Sequence, residues 1–134
     1  DFCLSRGLGD VYKRQAEKVG HFVQSRRLLS LLTRLATRYA DAMEEGGDIV
    51  ARQVFTSAEY SSRESDSIMN SRESARARTW NYCGRSLTMQ RHLKIGVATD
   101  TKLSMRVYFD YLPEEGRIVV GWCGEHRPVP GIKS

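Results

Sequence analysis

Long apolar runs are what this sequence of 134 residues most lacks. Nothing in it approaches the roughly 18–20 consecutive apolar residues that span a bilayer. Its richest stretch, Leu28 to Ala36, is broken by Ser30, Thr33 and Arg34. Nothing near the start joins a basic end, an apolar middle and a small-residue cleavage site, as a secretory signal would. The chain is therefore expected to be soluble and cytoplasmic, with no membrane partner. Cysteine is scarce: Cys3, Cys83 and Cys123 do not make a disulfide framework. A Walker loop, a complete zinc pattern, an HExxH helix and a dinucleotide fingerprint are all missing, so no cofactor is expected.

The run from Ser5 to Gln15, Ser-Arg-Gly-Leu-Gly-Asp-Val-Tyr-Lys-Arg-Gln, resembles the translation of a sequencing adapter, as found at the ends of metagenomic gene predictions. That resemblance implies that residues 1–15 are a non-native segment. It also implies that residues 16–134 are one small domain, the C-terminal part of a longer protein. Gly7 and Gly9 lack the third glycine and the preceding strand of a phosphate loop.

What remains is basic. Setting aside residues 1–15 removes three basic and two acidic groups and leaves 18 and 14, net +4. The charge is uneven: residues 16–70 carry net −1 and residues 71–134 net +5. Between positions 72 and 94, Arg72, Arg76, Arg78, Arg85, Arg91 and Lys94 face only Glu73. Clustered cations suit a polyanion better than scattered ones do, although a solvated basic surface reads the same way.

Residues 16–70 read as helical and residues 71–134 as β-rich. Leu29, Leu32, Ala36, Tyr39 and Met43 recur at steps of three and four, widened by Leu28, Leu31 and Leu35. This predicts an amphipathic helix over 24–45, with Ser25 as cap and Gly46-Gly47 as stop. Ala16 to Val23 continues it or forms a separate turn. Asp48 to Phe55 is strand or helix. Thr56-Ser-Ala-Glu59 has the spacing of a capping box and predicts a polar helix from Ser57 to about Met69. Residues 61–74, rich in Ser, Arg and Glu, bury little and are expected to be loosely held. Beyond Arg78 the period becomes two. Thr79–Tyr82 and Ser86–Met89 flank Cys83-Gly84-Arg85 as a hairpin, and His92–Val97 is a third strand. Leu103 to Tyr111, a turn at Pro113-Glu-Glu-Gly116, and Ile118 to Cys123 form the clearest hairpin. The fold class expected is α+β: an N-terminal helix and a polar second helix packed on a C-terminal antiparallel sheet of three to five strands.

Four constellations bear on chemistry. Arg78, Trp80 and Tyr82 are in phase on one strand, with Arg85, Arg91 and Lys94 near in sequence. Exposed aromatics stack on bases while cations neutralise phosphate, which makes these residues, with Tyr108, a nucleic-acid-binding set; equally, Trp80 and Tyr82 are core. Arg106 and Tyr108 lie on one face of the last hairpin, and Glu125-His126-Arg127 follows it. Arg106, His126 and Arg127 would form a metal-free phosphodiesterase site, Arg stabilising charge and His moving protons. Cys123-x-x-His126, with His92 or Cys83, is half a zinc motif. Cys83 or Cys123 with His92 or His126 would make a thiol dyad, if the thiol were exposed and acidic. His21 has no evident partner.

The pattern Met105-Arg-Val-Tyr-Phe109, a turn, Arg117-Ile-Val-Val-Gly121 and Glu125-His-Arg127 resembles the last hairpin of the RelE/ParE toxin superfamily. The resemblance covers about 25 residues. It implies a small domain with helices first and an antiparallel sheet after, and either messenger RNA cleavage or gyrase as the target. It also implies that Arg106 matches the strand arginine and His126-Arg127 the pair at the hairpin's end. The chain departs from that pattern in its long polar segment at 56–76 and in having no aromatic residue soon after His126-Arg127.

Three readings stay open. The first is a nucleic-acid-binding module, RNA before DNA. The second is a RelE-like metal-independent endoribonuclease. The third is a non-catalytic domain that docks on an upstream domain or partner protein. The helix 24–45 could also serve as a dimer seam.

Overall fold

The computed structural model describes residues 2–4, 25–96, 104–125, 127 and 129. His21, the turns expected over 16–23, Leu103 and His126 lie outside them. The architecture is α+β, as the change of period implies.

The first helical stretch runs as α1 (Ser25–Arg34), a π turn (Leu35–Tyr39) and α2 (Ala40–Gly46). Leu28, Leu31, Leu32, Leu35, Ala36, Tyr39 and Ala40 form its buried face. Leu29, expected in that face, is 37% exposed. The stripe packs against the sheet. Gly47, at φ 73°, takes the positive-φ cap that a side chain resists. Asp48 onward is helical, as α3 (Asp48–Ala51) and a 3-10 turn (Arg52–Val54).

The polar segment departs most from expectation. The Thr56 amide does donate to Glu59 Oε1 at 2.9 Å, one half of a capping box. It closes a single turn, however, and the chain enters β2 (Tyr60–Ser61) instead of a helix. Arg27 and Arg34 hold the same Glu59 carboxylate at 2.9 and 3.2 Å and draw this turn onto α1. Helix appears later, as α4 (Asp66–Met69) and α5 (Arg72–Arg76), capped by the Ser65 and Ser71 hydroxyls. Nor is the segment loosely held: Glu64 and Ser74 are buried in it.

The strands follow in order: β3 (Thr79–Tyr82), β4 (Arg85–Thr88), β5 (His92–Ile95), β6 (Met105–Leu112) and β7 (Arg117–Gly124). With β1 (Phe2–Leu4) they build a five-stranded antiparallel sheet, in the order β1-β7-β6-β5-β2, and a separate β3-β4 hairpin. Cys83 (φ 50°) and Gly84 (φ 80°) turn that hairpin with two positive φ angles, the type I′ geometry that matches strand twist.

Apolar side chains pack on both faces of the sheet. Leu93, Ile95, Val107, Phe109, Ile118 and Val120 pack beneath the helix. Tyr108, Leu112 and Val119 face the other way, onto Tyr82 and Met89, with Trp80 against them. Hence β6 alternates between two apolar layers, not between apolar and wet. A bulge shifts the register between Tyr108 and Phe109: Tyr108 pairs with Trp122 and Phe109 with Val120. Gly121 is the extra residue. It returns Cys123 to the helix side and Trp122 to the hairpin side.

Candidate phosphate site on the second face of the sheet

The hairpin covers only part of the second face. Where β5 and β6 begin to pair, their outward side chains meet the segment around Glu64. Strand alternation puts Leu93 and Ile95 in the core, so His92 and Lys94 point the other way, and Arg106 and Tyr108 do likewise on β6. A recess of about 240 Å³ opens there, lined among others by Arg63, Glu64, His92, Lys94, Arg106 and Tyr108. A larger depression of about 590 Å³ adjoins it and shares Ser61 and Arg63. Arg52, Gln53 and Thr56 lie along its walls.

Glu64 is the organising group. One carboxylate oxygen lies 3.0 Å from His92 Nδ1 and accepts the Tyr108 hydroxyl at 3.1 Å. The other lies 3.0 Å from Arg78 Nε. Burial alone would push this carboxyl up. His92, Arg78 and Tyr108 together outweigh burial and hold it below its ordinary value. Tyr108, shut in beneath the hairpin with Glu64 beside it, is pushed up to about 12 and stays a neutral donor. Its ring stacks on His92, with centroids 4.9 Å apart and planes at 29°.

His92 Nδ1 also meets the Gln90 carbonyl at 2.9 Å. Two acceptors on one ring nitrogen place the proton there. Among the described residues Nε2 has no partner.

Lys94 and Arg106 are direct partners across the β5-β6 ladder. Like charges so placed repel, and an uncompensated pair is a cost to folding. The Lys94 ammonium donates to the Ser57 carbonyl at 3.1 Å, and Arg106 donates to the Met105 carbonyl at 3.1 Å. Among the described residues neither forms an ion pair with a carboxylate. Arg106 is only 6% exposed. Burial, and for Lys94 the neighbouring Arg106, lower the affinity of both groups for their protons. Glu64 acts on the Arg106 guanidinium through space without outweighing its burial.

The sequence-derived residues divide. Lys94, Arg106 and Tyr108 converge here. Arg78 stands behind the recess, wholly buried, donating to the Tyr108 hydroxyl at 3.2 Å and the Ser74 carbonyl at 2.9 Å. It braces Glu64 and does not present a surface to phosphate. Tyr82 belongs to the second apolar layer and Trp80, partly buried, packs against it, so the pair is not a freely exposed stacking platform. Arg85, on the hairpin, meets Glu114 and Glu115 at 2.9 and 3.3 Å. Arg91 is turned to Asp110 and Asp48, at 2.7 and 3.7 Å. The basic surface expected over 72–94 is therefore interrupted at Arg78, Arg85 and Arg91, while Arg72 and Arg76 are exposed. Arg127 donates to the Ala77 carbonyl and lies over the Trp122 ring, 4.2 Å from its centroid. His126, the expected proton carrier, is outside the described residues.

Cys123 is half-buried, and burial pushes its thiol up to about 11, which weakens it as a nucleophile. Among the described residues no three His, Cys, Asp or Glu side chains gather as metal ligands. Nor is any helix among them long and apolar enough to cross a membrane.

Sequence reasoning missed Glu64 as a site residue and assigned His92 only to a strand, a zinc set or a thiol dyad. Compared with known proteins, the chain matches no family model, no curated protein and no solved structure.

Proposed function

We propose that this chain binds RNA, with one backbone phosphate seated between Lys94 and Arg106. The observation that carries the reading is Arg106: nine-tenths buried, opposite a second cation, and without a carboxylate partner among the described residues. A phosphate oxygen pair satisfies a guanidinium fork and neutralises the cross-strand repulsion in one step. The site is a recess, which a single strand can bend into and a duplex backbone cannot. The adjoining depression gives the neighbouring nucleotide a place, with Arg52 and Arg63 at hand. The net charge of +5 favours encounter with any polyanion.

The test is a titration of labelled single-stranded RNA with the full chain at two salt concentrations. Lys94→Gln and Arg106→Gln should each weaken binding about tenfold, the scale of one charge-assisted hydrogen bond. Each should flatten the salt dependence by about 0.7 in log–log slope. Arg85→Gln, on the exposed hairpin, should change affinity little. Absence of binding at low salt, or equal losses in all three variants, would reject this site.

A further inference from the structure

We infer that the phosphate held between Lys94 and Arg106 is the terminal phosphate monoester of an RNA strand, with its nucleoside in the adjoining depression. The inference rests on the RNA reading and narrows its ligand from any backbone phosphate to a strand end.

Charge carries it first. Lys94 and Arg106 bring two positive charges to one point of the β5-β6 ladder, and neither is paired with a carboxylate among the described residues. Glu64, the carboxylate lining the recess, is taken up by Arg78, His92 and Tyr108. An internal phosphodiester has one negative charge and leaves one of the two cations uncompensated. A terminal monoester carries about −1.5 to −2 near neutrality and has three unsubstituted oxygens, which answers both. The donors agree with the charge. Lys94 spends one ammonium hydrogen on the Ser57 carbonyl, and Arg106 one N–H on the Met105 carbonyl. Their remaining donors have no partner among the described residues, and three phosphate oxygens can engage them.

Shape carries it second. The recess of about 240 Å³ is smaller than a usual small-molecule pocket, whereas the depression of about 590 Å³ is of that class. The first suits a phosphate group and the second a nucleoside. Ser61 and Arg63 line both. Ser57 belongs to the depression while its carbonyl receives Lys94, so the ammonium stands at the junction. One ester link crosses that junction; a diester needs a second way out for the next ribose. At 6% exposed, Arg106 is reached by a compact group more readily than by a phosphate substituted on both sides. Gln53, Thr56, Ser61 and Ser62 give the depression amide and hydroxyl groups for a ribose and its base. Arg63 is tied to Asp66 at 3.4 Å with both side chains exposed, a bond weak enough to yield to the nucleotide.

The experiment uses the full chain and single-stranded RNA oligonucleotides of one sequence, labelled internally, at one low salt concentration. The strands carry hydroxyls at both ends, a 5′-phosphate, a 3′-phosphate, or the methyl ester of either phosphate. At least one phosphorylated strand should bind about tenfold more tightly than the strand with two hydroxyl ends, and which one it is identifies the end the recess takes. Methylating that phosphate removes a charge and a free oxygen and should return affinity to that of the hydroxyl strand. Lys94→Gln and Arg106→Gln should erase the preference, and Arg85→Gln should keep it. Melting curves identify any variant that fails to fold, and the methyl-ester comparison on wild type decides without a variant. Equal affinity for all the strands overturns this inference and leaves the binding reading intact. A preference that survives methylation, or survives in a folded Arg106→Gln, also overturns it. No RNA binding removes both.

Discussion

Gly121 shows how much one residue's lack of a side chain can matter. A Cβ placed there would come within 2.6 Å of the Trp80 ring and 2.9 Å of the Met89 sulfur. Neither neighbour can yield easily, because both belong to the second apolar layer. Gly121→Ala should therefore destabilise the protein by about 1–3 kcal/mol, the usual cost of overpacking. Chemical denaturation of the two proteins measures this directly. Glu64 permits a sharper statement. Its folded-state affinity for a proton is depressed, so the stability it contributes is complete above its ordinary value near 4.5 and disappears as pH falls through the lower folded value. Glu59, held by Thr56, Arg34 and Arg27 against its own desolvation, acts in the same direction. Stability should thus fall steeply on acidification below about pH 4.5. Glu64→Gln should be less stable at neutral pH and show a shallower acid slope. Unfolding curves at pH 3, 4, 5 and 7 would reveal an unchanged slope if this account of Glu64 were mistaken.

Among the elements, the β3-β4 hairpin is the one whose local chemistry is least favourable. Cys83 holds φ 50° at a turn position where Asn or Gly is usual. Cys83→Asn creates the preferred pair ahead of Gly84 and should stabilise the fold by a few tenths to about 1 kcal/mol. A lower melting temperature would count against the turn assignment. The same element shows what the sequence makes legible. Strands β3 to β7 could be read because alternation and turn chemistry act over neighbouring residues, and the helix because its stripe does. The polar segment could not be read that way. Thr56 to Glu59 has helix-starting spacing, yet the Glu59 carboxylate binds Arg27 and Arg34, distant in sequence, and the chain turns into β2. Likewise Ser, Arg and Glu over 61–74 suggest looseness only while Glu64 has no known partners. His92 and Tyr108, far downstream, supply them. The basic cluster misled for a related reason. Charge counts cannot tell Arg78, wholly buried behind Glu64, from Arg106, buried and facing the recess. That Lys94, Arg106 and Tyr108 share a face was legible because strand phase alone sets it.

The described residues form three layers: helix, sheet, and a cover made of the hairpin and the segment around Glu64. The recess exists where the cover stops, so binding there joins the middle layer to the third. RNA should accordingly raise the melting temperature of wild type, and much less that of Arg106→Gln; equal rises would place the ligand elsewhere. The burial of β6 on both faces has a consequence of another kind. It is the central strand, laddered on both edges and covered above and below. Its amides can trade their hydrogen for deuterium only when the entire protein opens. The slowest of them, at Val107 for example, should then report global stability. Free ligand at a hundred times its dissociation constant adds about 2.7 kcal/mol to that quantity. Deuterium uptake at one backbone position in β6 would therefore slow about a hundredfold under those conditions and serve as a gauge of affinity for any compound the recess accepts.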